Sequence, residues 1–324
     1  MNKIQLDFWN VGQGDASTIT LPDGSLCVID VGPANSSLSR WFSDSKRNIP
    51  DIKYLILTHN DADHVGGLQC ILQAPNVRIE KVRLLAEATK NGNNRAVTLI
   101  EKLYGKVGQE KIGSLVRQEE PLTLGSWNNY TLKVYFPNFV ENLINHSPNT
   151  TSAILALCYE DNVCVIWGAD NYLKTIDEHI PGEGDSEMLF GPHHGAPLDF
   201  EKEEQKNAIG NLKPKRCFIS AGNGYKHPNI DYIKILAGIK CQAMCSRLST
   251  HCREKGNLKK AVHDSAGYYS IPLSTNDCSL QCCGHIRFYL EDGVLVFDED
   301  SQGHAERLEK FKCQFPCQID QCCN

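Results

Sequence analysis

Apolar and polar residues alternate over residues 3–9, the two-residue period of a strand, and a polar, glycine-bearing turn over 10–16 leads into a second strand over 17–21. Pro22-Asp23-Gly24 then turns the chain into a third run over 26–32, so the opening reads as a meander entering a sheet. The pattern predicts an amphipathic helix over 35–46, an apolar strand over 54–57 and a helix over 65–73. A strand over 81–85, a helix over 94–104 and an alternating strand over 130–136 complete the first half. The second half repeats the theme: strands over 153–159 and from Val163, a helix over 171–179, a strand from Arg216, a helix after Pro228, and closing strands over 284–290 and 293–298. Glu291-Asp292-Gly293 is a hairpin turn between the last two. Two such halves suit an αββα sandwich, in which mixed sheets pack face to face and helices cover both outsides.

One stretch carries the densest chemistry. Between Thr58 and His64 the chain places His59, Asp61, Asp63 and His64, directly after Tyr54-Leu55-Ile56-Leu57 and directly before Gly66-Gly67. A strand ending at Leu57 delivers His59 and Asp61 from alternate positions, while a helix starting near Val65 makes Asp63 and His64 diverge. Two small chelating pairs can then face two neighbouring cations. Imidazole with carboxylate suits zinc or manganese better than calcium, which prefers an all-oxygen shell. A polar surface turn in which Asp63 caps the helix is the plainer reading, and four metal-type groups in six residues weigh against it.

The run resembles the His-x-His-x-Asp-His signature of the metallo-β-lactamase superfamily with Asp61 in place of the second histidine, the variant of the ComEC-type competence hydrolases. Further blocks are similar to that family in the same order, over roughly residues 4 to 298: Val11-Gly12-Gln13-Gly14-Asp15, Ile29-Asp30-Val31-Gly32, Trp167-Gly168-Ala169-Asp170, Pro192-His193-His194-Gly195 and Tyr225-Lys226-His227-Pro228. The resemblance implies that Asp30 lies under the metal loop as a hydrogen-bond acceptor orienting a ligand. It implies that Asp170 bridges two metals, with each oxygen taking one ion. His194 is then the ligand from the doublet and His193 the phosphate contact, and His227 is a general acid or a transition-state hydrogen-bond donor. Most of the superfamily donates a third histidine to the first metal from the loop before the strand over 153–159; here Asn149 and Ser152 resemble the Asn-rich stretch of ComEC-like chains, and His146 stands nearby. Ala169 is inserted between the family's Gly and Asp, and Lys226 replaces a usual Gly.

Length and composition change the picture in four ways. The 324 residues allow one large α/β domain, which we place over 1–299, with a cysteine-rich tail over 300–324. A net charge of −6 and a pI near 6.0 give no global footprint for nucleic acid, so any grip on phosphate must be local or metal-mediated. No apolar run approaches the ~20 residues that span a bilayer, and Asp7 stands where a signal peptide would continue apolar. A cytosolic protein is expected. Ten of the 15 cysteines lie between Cys241 and Cys323, which in the cytosol points to reduced thiols or zinc ahead of disulfides. A structural zinc held by Cys245, Cys252 and one of Cys282 or Cys283, with His285 or the tail as fourth ligand, stands beside buried unligated thiols.

The implied enzyme is a metal-dependent hydrolase with two zinc or manganese ions, whose shared hydroxide attacks a phosphodiester, DNA first among them. Asp63, His193 and His227 would serve the reaction itself. A small-molecule hydrolase acting on a lactone, thioester or cyclic nucleotide is the second class. The third is a non-catalytic, metal-stabilised module that meets a protein partner through the cysteine tail. The basic residues Lys213, Lys215, Arg216, Lys226, Arg247, Arg253, Lys255, Lys259 and Lys260 discriminate between the first two: lining the metal cleft favours DNA, and scatter favours a small molecule.

Overall fold

The computed structural model describes residues 3–44, 46–74, 77–84, 98–99, 101–103, 112–114, 121–137, 147, 149–181, 185–197, 202–221, 227–247 and 284–297. In chain order the elements are β1 (Ile4–Phe8), β2 (Ala16–Thr20), β3 (Leu26–Val31), α1 (Ser37–Ser43), β4 (Ile52–Leu57), α2 (Ala62–Val65), α3 (Leu68–Gln73), β5 (Ile79–Leu84), β6 (Ile112–Ser114), β7 (Leu122–Trp127) and β8 (Tyr130–Phe136). There follow β9 (Ile154–Tyr159), β10 (Asn162–Trp167), α4 (Leu173–His179), β11 (Met188–Phe190), α5 (Lys202–Leu212), β12 (Arg216–Ile219), α6 (Ile230–Gly238), β13 (Gln242–Cys245), β14 (Ile286–Glu291) and β15 (Val294–Phe297).

They form an eight-stranded sheet, β15-β14-β1-β2-β3-β4-β5-β6, and a seven-stranded sheet, β13-β12-β11-β10-β9-β8-β7. Both are mixed. The first is antiparallel from β15 to β3 and parallel from β3 to β6; the second is parallel from β13 to β10 and antiparallel from β10 to β7.

The period of two decides which side chain meets which layer. Tyr54 and Ile56 of β4 face the other sheet, whereas Leu55 and Leu57 turn outward against Leu38 and Phe42 of α1 and Leu68 and Ile71 of α3; an irregularity at Lys53 puts Ile52 on the outward side as well. On β9, Leu155 and Leu157 face inward, and Ile154 and Ala156 turn toward α4, α5 and α6. Every residue of β3 is buried, as expected of a strand covered on both faces. Between the sheets Phe8 stacks on Phe190 at 5.6 Å, and Phe190 on Phe218 at 5.3 Å. Each such ring contributes about 1.5–3 kcal/mol of burial. Trp167 joins them and donates its Nε1–H to Ser17 Oγ at 2.9 Å, so its polar edge is satisfied across the core.

Several elements differ from the predicted ones for local reasons. The helix expected over 65–73 is two, because the Gly67 N–H donates to Gly32 O at 2.9 Å and ties the chain to the end of β3. The helix over 35–46 contracts to α1, which starts where the Ser36 side chain accepts from the Ser39 N–H. Strand β7 escapes the alternation rule through a bulge between Thr123 and Gly125. Helix α5, Lys-Glu-Glu-Gln-Lys-Asn-Ala-Ile-Gly-Asn-Leu, shows few apolar positions to read. Residues 98–99 and 101–103 are helical, and the rest of the helix predicted over 94–104 lies outside the described residues. So do His146, Lys226, the segment 248–283 and the tail. Among the described residues, no helix is long and apolar enough to cross a membrane.

Candidate metal centre

The C-terminal ends of the parallel strands open on one end of the sandwich, where ligands commonly bind in open α/β sheets. Asp30 ends β3, Thr58 to His64 follow β4, Asp170 follows β10, His193 and His194 follow β11, and Ser220 follows β12. Ala153 N–H donates to Thr58 O at 3.1 Å, a bond that joins the two sheets at this end.

His59, His64 and His194 are completely or almost completely buried. What fixes their rings is a pair of similar relays. The carboxylate of Asp30 accepts the Thr58 backbone N–H at 2.8 Å and the Thr58 hydroxyl at 2.6 Å. With that hydroxyl donating to Asp30, Thr58 Oγ1 accepts from His59 Nδ1 at 3.1 Å, and Asp30 Oδ2 also accepts from His64 Nδ1 at 2.8 Å. On the opposite sheet Ser220 Oγ donates to Asp15 Oδ1 at 2.7 Å and accepts from His194 Nδ1 at 3.0 Å. Each Nδ1 is thereby the protonated nitrogen, and each Nε2 lone pair is presented to the centre.

Among the described residues, the Nε2 atoms of His59, His64 and His194 and Oδ1 of Asp170 are buried without a hydrogen-bond partner. Orphaned ligand atoms of this kind are unfavourable unless a cation or protons occupy the space between them. They fall into two groups that share Asp170. Its Oδ1 lies 3.2 Å from His64 Nε2 and 3.6 Å from His194 Nε2, with Asp63 Oδ2 3.3 Å from His194 Nε2. Its Oδ2 lies 3.5 Å from His59 Nε2, which is 3.8 Å from Asp61 Oδ2, and 4.0 Å from His193 Nε2. The donor set fits a divalent cation that accepts imidazole and carboxylate together. His64, His194, Asp63 and Asp170 would hold one, and His59, Asp61 and Asp170 a second. Asp15 also approaches His64 and His194; its engagement with Ser220 makes it a support for His194.

The backbone at the doublet is unusual. His193 (φ 48°, ψ 41°), His194 (φ 54°, ψ 25°) and Gly195 (φ 71°) are three successive left-handed residues. Two of them have side chains, and each costs on the order of 1–3 kcal/mol to hold there. The conformation sends the rings apart: His194 is 1% exposed and His193 35% exposed. His193 N–H donates to Ala169 O at 2.7 Å, which locks the doublet to the loop carrying Asp170. Ala169, the inserted residue, is itself left-handed at φ 44°. Asp170 is held by its own N–H donating to Ser152 Oγ at 3.1 Å, and Ser152 Oγ donates to Asn149 O at 2.8 Å. The Asn149 amide stands 3.4 Å from His193 Nε2. Gly14 explains the glycines of the first loop: at φ 126° it lies so close that a Cβ would stand 2.2 Å from Asp63 O.

Charge in the centre is strongly coupled. Burial disfavours the cation at His64 and His194, yet Asp170 and Asp30 hold the His64 proton well above the ordinary range, and Asp170 and Asp15 lift His194 to about 10. Burial likewise opposes the carboxylates of Asp63 and Asp170, but the surrounding imidazoles bring both below their ordinary values. In the metal-free protein protons take the cations' place. The raised His194 stabilises the metal-free fold fully below about pH 6.5, and that contribution is lost as pH rises toward about 10. Asp63 and Asp170 contribute above about 3.8 and lose it on acidification. Metal must displace the histidine protons, so the rise in melting temperature on adding zinc to chelator-treated protein is expected to grow from pH 6 to 8.5. A rise independent of pH would show that these imidazoles are not the ligands.

His227 stands 6.3 Å from the His193 ring, and burial followed by the His194 and His193 charges pushes it down to about 4. Burial of this kind favours the neutral ring, whose N–H can donate a hydrogen bond, one of its two expected roles. Of the residues named for a cysteine site, His285 is buried beside Asp7, with Nε2 2.8 Å from Oδ1. Cys245 packs in the outer cluster of the second sheet, while Cys252, Cys282 and Cys283 lie outside the described residues. The basic residues divide as well. Lys213, Lys215 and Arg216 sit at the opposite end, where Lys215 and Arg216 pair with Glu187. Arg247 is at the metal end, and Lys226, Arg253, Lys255, Lys259 and Lys260 lie outside the described residues.

Asp15, Thr58 and Ser220 had no assigned role in the sequence. Asp15 sat in a quoted block, and the hydroxyls offered no signal, since a Thr or Ser at a strand end is ordinary.

The model of the metallo-beta-lactamase superfamily matches residues 9–168, a span that includes the Thr58 to His64 run and stops two residues before Asp170. No curated protein matches the chain. Among solved structures, the chain is similar to the metallo-beta-lactamase fold protein YhfI from Bacillus subtilis, with 12% identity over 76% of this chain and 98% of that one at a TM-score of 0.46. It is similar to Igni18, a metallo hydrolase from the archaeon Ignicoccus hospitalis, with 13% identity over 74% and 95% at 0.43. A long form RNase Z from yeast aligns with 10% identity over 75% of this chain and 40% of its own length at 0.41.

Proposed function

This chain has the metallo-β-lactamase fold, and we propose that it is a metal-dependent phosphodiesterase whose substrate class is DNA. The observation that carries the reading is the convergence of three buried Nε2 atoms and Asp170 Oδ1, none of them hydrogen-bonded among the described residues, at the open end of the sandwich. The phosphodiester preference rests on the resemblance of the ordered sequence blocks to ComEC-type hydrolases.

Two divalent cations would supply Lewis acidity and an activated water there. The protein's own contribution is positional. Thr58, Asp30, Ser220 and Asp15 engage the Nδ1–H of three imidazoles and aim each Nε2 at the centre, so that release of the Nε2 proton leaves the ring ready to ligate. Asp170, anchored by Ser152, offers one oxygen to each group. His193, half-exposed and braced by Asn149, faces outward where a phosphoryl oxygen would approach. His227 presents a neutral ring beside it and would donate one N–H to an oxygen gaining charge.

The position of Lys213, Lys215 and Arg216 at the far end favours one second reading, a small phosphodiester such as a cyclic nucleotide, because a long polyanion gains nothing from cations remote from the cleft. The test is cleavage by chelator-stripped protein reloaded with manganese or zinc, using labelled single- and double-stranded DNA, a cyclic nucleotide, an aryl phosphodiester and a lactone. Metal-dependent cutting of DNA is expected. Turnover of the cyclic nucleotide with DNA intact selects the second reading, and hydrolysis of the lactone alone rejects both.

A further inference from the structure

We propose that the outer edge of β15 docks a second protein, whose extended segment of alternating apolar residues, with basic flanks, adds a strand to the eight-stranded sheet. β15 ends that sheet, and among the described residues nothing pairs with its outer edge. In an antiparallel ladder every second residue turns both its N–H and its C=O away from the neighbouring strand. Half of β15 therefore offers those groups, about four hydrogen bonds in all, to an incoming chain.

Edge strands are commonly protected by a lysine, a proline, a bulge or a covering loop. β7, at the edge of the other sheet, has its bulge between Thr123 and Gly125. β15, Val-Leu-Val-Phe, has no lysine or proline, and its register with β14 is regular from Val294 to Phe297. Leu295 is buried in the core, whereas Val294 and Val296 are 48% and 39% exposed, two of the three large hydrophobic side chains exposed among the described residues. Tyr289 stands beside Val296 on the same face and widens the apolar strip. The strand is also held in place before any partner arrives: Gly293 N–H donates to Tyr130 Oη at 2.9 Å and Tyr159 Oη to Asp292 Oδ1 at 3.3 Å, which pins the β14–β15 turn to the second sheet. Little freedom is then lost on docking.

Charge selects the partner. From Phe288 to Gly303 the sequence has five carboxylates, Glu291, Asp292, Asp298, Glu299 and Asp300, and no lysine or arginine, so acid lies on both sides of β15. A second copy pairing antiparallel to the first would set the acidic turn of one against the acidic run of the other, which is unfavourable. A segment with basic flanks meets opposite charge at both ends. The turn also borders a groove of about 680 Å³ whose lining includes Lys3, Tyr130, Tyr159, Glu291 and Asp292. Lys3 is paired with Glu291, so Asp292 and the tyrosine rings are what a partner's cation meets there. Ile4, at the start of β1, pairs with Leu290 beside this turn, while β1 runs from there toward the metal end. A partner docked here leaves the mouth open.

The experiment is fluorescence anisotropy of labelled peptides titrated with the full chain. The probes are Lys-Lys-Ile-Thr-Val-Thr-Lys-Lys, the same core flanked by glutamates, and the basic peptide N-methylated at its four central residues. Saturable binding of the basic peptide is expected, at least about tenfold tighter than either of the others. Val294→Lys with Val296→Lys should weaken it by a similar factor without changing metal content or hydrolysis, and both positions are exposed, so the fold tolerates the change. Asp292→Asn should cost about two- to fivefold, the range of one exposed ion pair. Amide hydrogen exchange over residues 294–297 should slow in the complex. Equal affinity for the basic and acidic peptides, N-methylation without effect, or no saturation up to about 1 mM would overturn the proposal. Concentration-dependent self-association that V296K removes would overturn it too, and assign the edge to a second copy.

Discussion

Asp63→Ala with His64→Ala is expected to abolish hydrolysis, a loss on the order of 10³-fold or more. Together these residues provide two of the four atoms in the group that includes Asp170 Oδ1, so the double variant leaves only His194 and Asp170 on that side. The remaining carboxylate would then sit beside fewer cationic partners, and the depression of the Asp170 pKa, to which the His64 charge contributes, would shrink. Metal analysis should show at least one equivalent fewer than in wild type. Since His64 is fully buried and bonded to Asp30, the alanine also leaves a cavity and an acceptor without its donor; circular dichroism must accompany the assay. Wild-type activity in a folded double variant would reject the metal centre as the seat of reaction.

How much of this was legible beforehand depended on distance along the chain. The Thr58 to His64 run is local, so strand and turn periodicity alone brings four ligand-type groups together. Asp30, Asp170 and the histidine doublet are 28 or more residues from that run or lie on the other sheet, and only the order of blocks tied them to it. The relay from His194 through Ser220 to Asp15 spans 205 residues between its last two members and joins opposite sheets. Nothing in pattern or propensity encodes such a pairing; it exists because β12 and the loop before β2 end at the same mouth. The left-handed doublet is a similar case. Histidine tolerates that region only locally, and here Ala169 O and the packing around Gly195 impose it. Strand β7 and helix α5 were missed for the opposite reason: their local signal is weak, and tertiary packing decides them.

Asp30→Asn is expected to weaken metal binding at the His64 group by about 10–100-fold, the range for removing an oriented partner of a ligand histidine. Asp30 is left-handed at φ 53°, a conformation asparagine also tolerates, so the substitution keeps the backbone and isolates the hydrogen bonds. Three donors reach this carboxylate: the Thr58 N–H, the Thr58 hydroxyl and His64 Nδ1–H. An amide has one oxygen, and whichever way it turns, a donating NH2 meets at least one of them. If Oδ2 becomes nitrogen, His64 is driven to the tautomer protonated on Nε2, and the lone pair facing Asp170 disappears. The Thr58 hydroxyl loses its acceptor at the same time, which loosens His59 as well. Ser220→Ala, by comparison, frees one ligand histidine, His194, together with the Asp15 oxygen that the hydroxyl bonds, and should cost less. Competition against a chromophoric chelator at fixed pH measures both, with melting of the metal-free proteins separating scaffold damage, about 1–3 kcal/mol for a buried donor left unpaired, from loss of affinity. Unchanged affinity in D30N would mean that His64 does not bind metal through Nε2, and the pairing of carboxylate, hydroxyl and imidazole on both sheets would then be structural only.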